Sequence, residues 1–134
     1  MPVSFDEASA MIQAVNAHAR GVGISVSAAV VDEGGLLQAL GRMDEASPVT
    51  VEVAIAKAAN SAFARRDGDS FVTMQRDRPA ILEAFGQFLP RPVIPGLGGV
   101  VSRKQGRVVG AVGVSGGTAE QDLACAEAAL KVLG

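Results

Sequence analysis

Residues 106–122 read GRVVGAVGVSGGTAEQD: a strand, a glycine corner and a helix start with nothing between them. Val108, Val109, Val112 and Val114 are β-branched and suit a pleated surface. Gly110 and Gly113 interrupt them, and glycine inside a strand marks a bulge or a second backbone passing close. Gly116 and Gly117 supply backbone angles that side chains forbid. Thr118 caps the following helix while Gln121, three residues on, reaches back in a capping box. The N–H groups of Gly117, Thr118 and Ala119 are expected to point out of this corner, and such a helix start attracts carboxylates and other anions. Close packing is the commoner use of such glycines. The spacing Gly113-x-x-Gly116-Gly117 matches neither a phosphate-binding loop nor a dinucleotide fingerprint, so no nucleotide is implied.

Immediately before this stretch, Lys104 to Gly106 read as a turn and Val100 to Arg103 as a strand, which makes a hairpin. A second hairpin lies near the start of the chain. Ile24 to Val31 alternate, with Ile24, Val26, Ala28 and Val30 on one side. Asp32-Glu33-Gly34-Gly35 is its turn, and a strand from Leu36 to about Met43 returns antiparallel. Helices fill the remainder. Ser4 and Glu7 form a capping box, with Val3 and Ala8 at staple positions. Phe5, Ala8, Ile12, Val15 and Ala19 make a buried face that stops at Arg20-Gly21. His18 sits at the border of that face. Pro48 opens another helix after a Ser cap, with Val49, Val53, Ala56, Asn60 and Phe63 as its inner stripe and Lys57 beside it. Asp67 to Ser70 break that helix and Pro79 starts a further piece, with Ile81, Leu82, Phe85 and Leu89 inward. Pro90, Pro92 and Pro95 make Pro90 to Gly99 a shaped loop. The last helix buries Leu123, Ala126, Leu130 and Leu133. Two hairpins separated by helices predict an α+β fold, with an antiparallel sheet of four or five strands and helices packed on it.

A chain of 134 residues suits one domain, 1–134, with a real core. Apolar residues are 49% but aromatics only 4%, so the core is expected to rest on Ala, Gly and Val in close helix–sheet contact. Charged residues, at 19%, are fewer than usual; apolar surface remains to be hidden, and self-association hides it. A net charge of −2 without Trp, Tyr or a basic run argues against nucleic acid. The opening MPVSFDEAS carries acids where a signal peptide needs bases, and no apolar run spans a bilayer. A cytoplasmic protein is expected. Cys125 is alone, which leaves no internal disulfide, and no structural zinc is predicted.

AAVVDEGGLLQALGRMDEA, VAIAKAANSA, IPGLGG and VVGAVGVSGGTAEQD follow one another in the order of the GlcG/HbpS-like family, which this chain resembles over essentially its whole length. The family includes the C-terminal part of PduO-type proteins. The resemblance implies a profilin-like α/β sandwich assembled into homo-oligomers. It further implies haem binding or haem degradation, and a setting in a catabolic gene cluster. Gly98-Gly99-Val100-Val101 departs from the family pattern in lacking a Pro. Haem iron takes His, Cys, Met or Tyr; Tyr is absent, which leaves His18, Met43, Cys125 and a few other methionines. His18 is the haem candidate.

Two clusters could carry chemistry. Arg42, Asp44, Glu52 and Lys57 surround the end of the second strand and the next helix; Ser115, Gly116, Gly117, Thr118, Glu120 and Asp122 belong to the glycine corner. Facing one cleft, they would offer an anion site of Ser115, Gly116, Gly117 and Thr118, with Arg42 and Lys57 as cationic clamps for a carboxylate. Asp44 and Glu120 would be proton-moving acids. The alternative is that Arg42–Asp44 and Lys57–Glu120 or Lys57–Asp122 are ion pairs that fix loops. Three functions follow: a small-ligand-binding accessory protein with haem or another carboxylated molecule, a small cofactor-free enzyme of hydroxy-acid or aromatic catabolism, or an interaction scaffold whose assembly is its role.

Overall fold

The computed structural model describes residues 1–134. In chain order the elements are α1 (Phe5–Gly21), β1 (Ser27–Asp32), β2 (Leu37–Arg42), α2 (Val49–Ala64), α3 (Gly68–Asp77), α4 (Pro79–Phe85), β3 (Gly99–Lys104), β4 (Arg107–Ser115) and α5 (Ala119–Leu130), closed by a 3-10 turn at Lys131–Leu133. The four strands form one antiparallel sheet in the order β2-β1-β4-β3. Both hairpins form as the sequence predicts, and β1 joins them by pairing with β4 from Ser27↔Ser115 to Asp32↔Gly110. The capping boxes at Ser4/Glu7 and Thr118/Gln121 are both present.

Helices cover both faces. On one side Val26, Ala28, Val30, Val100, Val112 and Val114 meet Met11, Ile12 and Val15 of α1 and Cys125, Ala126 and Ala129 of α5. On the other, Ala29, Val31 and Ala111 meet Ala54, Ile55, Ala58 and Ala62 of α2. Phe71, Met74 and Leu82 form a small cluster between α3 and α4.

The α2 layer explains the composition. Gly99, Gly113 and Ala29 stand side by side across three strands. A Cβ on Gly113 would lie 2.2 Å from the Ala54 carbonyl oxygen and 2.6 Å from the Ala58 nitrogen, so the helix backbone rests directly on the sheet. Only small residues fit such a contact. This also corrects the predicted stripe of α2. Ala56 and Asn60 are buried, but Val49 and Phe63 are 63% and 52% exposed, because the bare glycine surface selects the Thr50–Ala54–Ala58–Ala62 side of the helix. Phe5, at 61% exposed, lies outside the core that Ala8, Ile12 and Val15 enter. Of the inward positions predicted for α4, Leu82 is buried and Phe85 and Leu89 pack half-buried on its cluster, whereas Ile81 is exposed. β1 begins three residues later than predicted and β2 one later.

Candidate functional site

Lys57 projects from α2 to the far end of the sheet. Its Nζ donates to the Val114 carbonyl (2.8 Å) and to Asp122 Oδ2 (3.2 Å). The two side chains are only 8% and 7% exposed. Asp122 Oδ1 accepts from the Gly117 N–H at 2.8 Å. Burial pushes the Asp122 carboxyl above the usual aspartate range, against the pull of the Gly117 N–H and the Lys57 ammonium. This pair joins the α2 layer to the start of α5.

The same geometry corrects the open anion corner. The Gly117 N–H goes to Asp122, the Thr118 N–H goes to Gln121 Oε1 (2.9 Å), and Thr118 Oγ1 accepts from the Gln121 N–H. A helix start does attract a carboxylate here, and the chain supplies its own. Gly116, at φ 139°, is held by contact: a Cβ there would meet the Ser25 carbonyl at 2.5 Å. The corner therefore packs on the segment that leads out of α1. Of the ion pairs weighed from sequence, Lys57–Asp122 forms. Glu120 is exposed on the first turn of α5. Arg42 turns to the Ala46 carbonyl (Nη1, 2.9 Å), and Asp44 is exposed.

Register does bring the two sequence clusters to one end of the sheet. Arg42 pairs with Ser27 and Ser27 pairs with Ser115, so Arg42 and the corner are two strands, about 10 Å, apart. Between them the Ser27 and Thr50 hydroxyls share a buried 2.8 Å hydrogen bond, and Thr50 Oγ1 donates to the Ser47 carbonyl. A plug of hydroxyls thus stands where a cleft was expected. His18 reaches the same end, in the last turn of α1 and half-buried. The chain that follows it packs Ile24 against Gly117 and returns the Val26 carbonyl to the Met43 N–H.

Among residue types that ligate haem iron, Met11 and Met74 are in the core. Met43 Sδ accepts from the Val26 N–H at 3.4 Å. Cys125 is fully buried and its thiol is pushed up to about 11, by burial first and then by Asp122. Beside the terminal Met1, that leaves His18, with Ala14 and the half-exposed Val22 one turn either side. His18 is therefore the residue of these types that could hold a haem iron.

Sequence reasoning missed Asn60 as a polar clamp. Its Nδ2 donates to the Arg91 and Pro92 carbonyls and its Oδ1 accepts from the Arg91 N–H, which fixes the proline loop. The signal was present: a loop with three prolines has carbonyls that no strand partner satisfies.

The sequence model of the family described as "Haem degrading protein HbpS-like" matches residues 3–131. Protein GlcG of Escherichia coli K12 is 39% identical over 109 residues, 81% of this chain and 77% of GlcG. The crystal structure of Klebsiella pneumoniae protein ORFY superposes with a TM-score of 0.88 at 30% identity, covering 98% of this chain and 90% of ORFY. A PduOC:haem complex superposes with the same TM-score at 24% identity, covering 100% and 96%; at that identity the likeness is one of fold.

Proposed function

The chain belongs to the HbpS-like family, and from that premise we propose that it is a small-ligand-binding accessory protein, cytoplasmic and homo-oligomeric, whose ligand is haem. The observation that carries this reading is the family match over residues 3–131. The haem bound by a protein of the same fold supports it.

Bound haem supplies a redox-active iron on a flat apolar ring. The residues of this chain supply the rest. His18 would be the residue to hold the iron, with the small and apolar Ala14 and Val22 one turn either side of it, and Arg42 would be the clamp for a propionate. Arg42 spends only Nη1, on Ala46, and keeps its other donors for a carboxylate. Ser115, Gly116, Gly117 and Thr118 give the clamp its wall, and Lys57 holds that wall from inside through Asp122. The alternative, an enzyme with Asp44 or Glu120 as base, is the weaker reading. Both carboxylates are exposed on the surface and not set in a closed site.

Haemin titration tests the proposal. Wild type should develop a Soret band that shifts or weakens in His18→Ala. Arg42→Ala should bind roughly ten- to a hundredfold more weakly, as expected for the loss of one charge-assisted hydrogen bond worth about 1.5–3 kcal/mol. No Soret change on titration of wild type would overturn the haem reading. An identical spectrum in His18→Ala would remove His18 from it.

A further inference from the structure

The chain turns sharply where α2 ends. Arg65 takes the left-handed conformation (φ 59°) and sends its Nη1 back to the Glu33 carbonyl in the β1–β2 turn. The Arg66 N–H bonds to the Ser61 carbonyl. Its guanidinium lies over the Phe85 ring, 5.9 Å from the centroid, and Nη1 donates to Ser70 Oγ at 3.0 Å. Past α4, the Phe88 and Leu89 N–H groups both return to the Phe85 carbonyl, which puts Phe85, Phe88 and Leu89 on one side of a helical turn. A groove of about 280 Å³ results, lined by Phe63, Ala64, Arg66, Phe85, Phe88 and Leu89. Ala64, Phe85 and Leu89 also pack on the Phe71 cluster and are anchored there, whereas Phe63 and Phe88 are 52% and 73% exposed. Three of the five phenylalanines of a chain without Trp or Tyr thus gather around one arginine.

We propose that this groove binds a flat apolar molecule bearing a carboxylate, with its ring on the phenylalanines and its carboxylate on Arg66. No acid lines the groove, and Arg66 takes part in none of the ion pairs of the protein. The stack on Phe85 and the bond to Ser70 hold the guanidinium in place. Its Nε–Nη2 edge stays free, and such an edge takes a carboxylate by parallel hydrogen bonds. The volume lies just below the roughly 300–1,000 Å³ of pockets for drug-sized ligands, so the groove suits one or two rings and not a tetrapyrrole. It also lies at the C-terminal end of α2, away from the Thr50–Ser27 end where Arg42 stands, and is separate from the proposed haem site. A second copy of this chain is the competing occupant. A two-fold contact here would bring two Arg66 guanidiniums into one closed patch with no carboxylate lining between them, and like charges oppose it.

Titration with sodium naphthalene carboxylate and with the uncharged naphthalene carboxamide tests the proposal, followed by backbone NMR of wild type, Arg66→Gln and Phe88→Ser. In wild type both probes should shift the N–H signals of Arg66, Phe85, Phe88 and Leu89 saturably. The carboxylate should bind roughly ten- to a hundredfold more tightly, as expected for one charge-assisted contact. Arg66→Gln should abolish that preference. Phe88→Ser alters a side chain that already meets solvent, so it should keep the fold and weaken both probes. Equal affinities in wild type, a preference that survives in Arg66→Gln, shifts confined to other residues or no saturable shift would each overturn the proposal. So would shifts at these residues that grow with protein concentration in the absence of probe, because they seat a second copy in the groove.

Discussion

Asp122 occupies the place that a bound anion takes in other helix-start sites. Its carboxylate joins the Gly117 N–H to the Lys57 ammonium, and nearly all of both side chains is removed from water. The cap at Thr118 was legible because capping is local. The partner of Asp122 was harder to read, because Lys57 is 65 residues away and only the packing of α2 on glycine brings it there. Breaking a buried pair leaves one charge unsolvated, so Asp122→Asn should cost about 3–5 kcal/mol in urea denaturation. Replacing both partners with apolar residues, Lys57→Met with Asp122→Leu, should recover most of that loss. A double variant no more stable than the single one would show that the pair contributes more than it costs to bury. Titration gives a second expectation. Burial raises the Asp122 carboxyl, whereas its bond to Lys104 lowers Glu7. The Asp122 contribution to stability is therefore fully present below the ordinary aspartate value of 3.8 and is lost as pH rises through its raised value. The Glu7 contribution is present above 4.5 and is lost as pH falls through its lowered value. Carboxyl carbon shifts followed by NMR should place the Asp122 midpoint above 3.8 and that of Glu7 below 4.5; an Asp122 midpoint at or below 3.8 would contradict the effect of its burial.

At the scale of elements, α2 shows how composition becomes geometry. Its inward side is Thr50, Ala54, Ala58 and Ala62 because the strands beneath present Gly99, Gly113 and Ala29. A hydrophobic count ranks Val49 and Phe63 above alanine, and so it selected the wrong stripe. The low aromatic content did announce close backbone packing, without saying which helix used it. Gly113→Ala should destabilise by about 3 kcal/mol or more, because its Cβ would meet helix backbone and not a side chain that can move aside. Gly21→Ala is the matched control. It ends α1, has nothing within 4 Å of an added Cβ, and should gain about 0.5–1 kcal/mol from reduced freedom of the unfolded chain. Equal melting temperatures for the two variants would mean that α2 stands off the sheet in solution.

At the scale of the whole molecule, the hairpins were legible from turns and alternation. The order β2-β1-β4-β3 was not, because β1–β4 pairing joins segments some eighty residues apart and no local signal marks it. That order decides which strands are edges, and the two edges differ. At β3 the Val101 N–H is capped by Asp67 Oδ1 at 2.8 Å, which blocks one of the groups a further strand would use. β2 carries leucines instead, Leu37 at 48% and Leu40 at 36% exposed, preceded by the exposed Leu36. Its one charged residue is Arg42, at its end. An antiparallel edge is its own complement under a two-fold axis, so the proposed homo-oligomer should use β2 in preference to β3. Light scattering at micromolar concentration should return a multiple of the monomer mass for wild type. Leu37→Lys combined with Leu40→Lys places like charges along the edge and should return the monomer, with the far-ultraviolet circular dichroism unchanged because both side chains already meet solvent. A folded double variant that keeps the wild-type mass would exclude β2 as the contact, and a monomeric wild type would end the proposal of assembly itself.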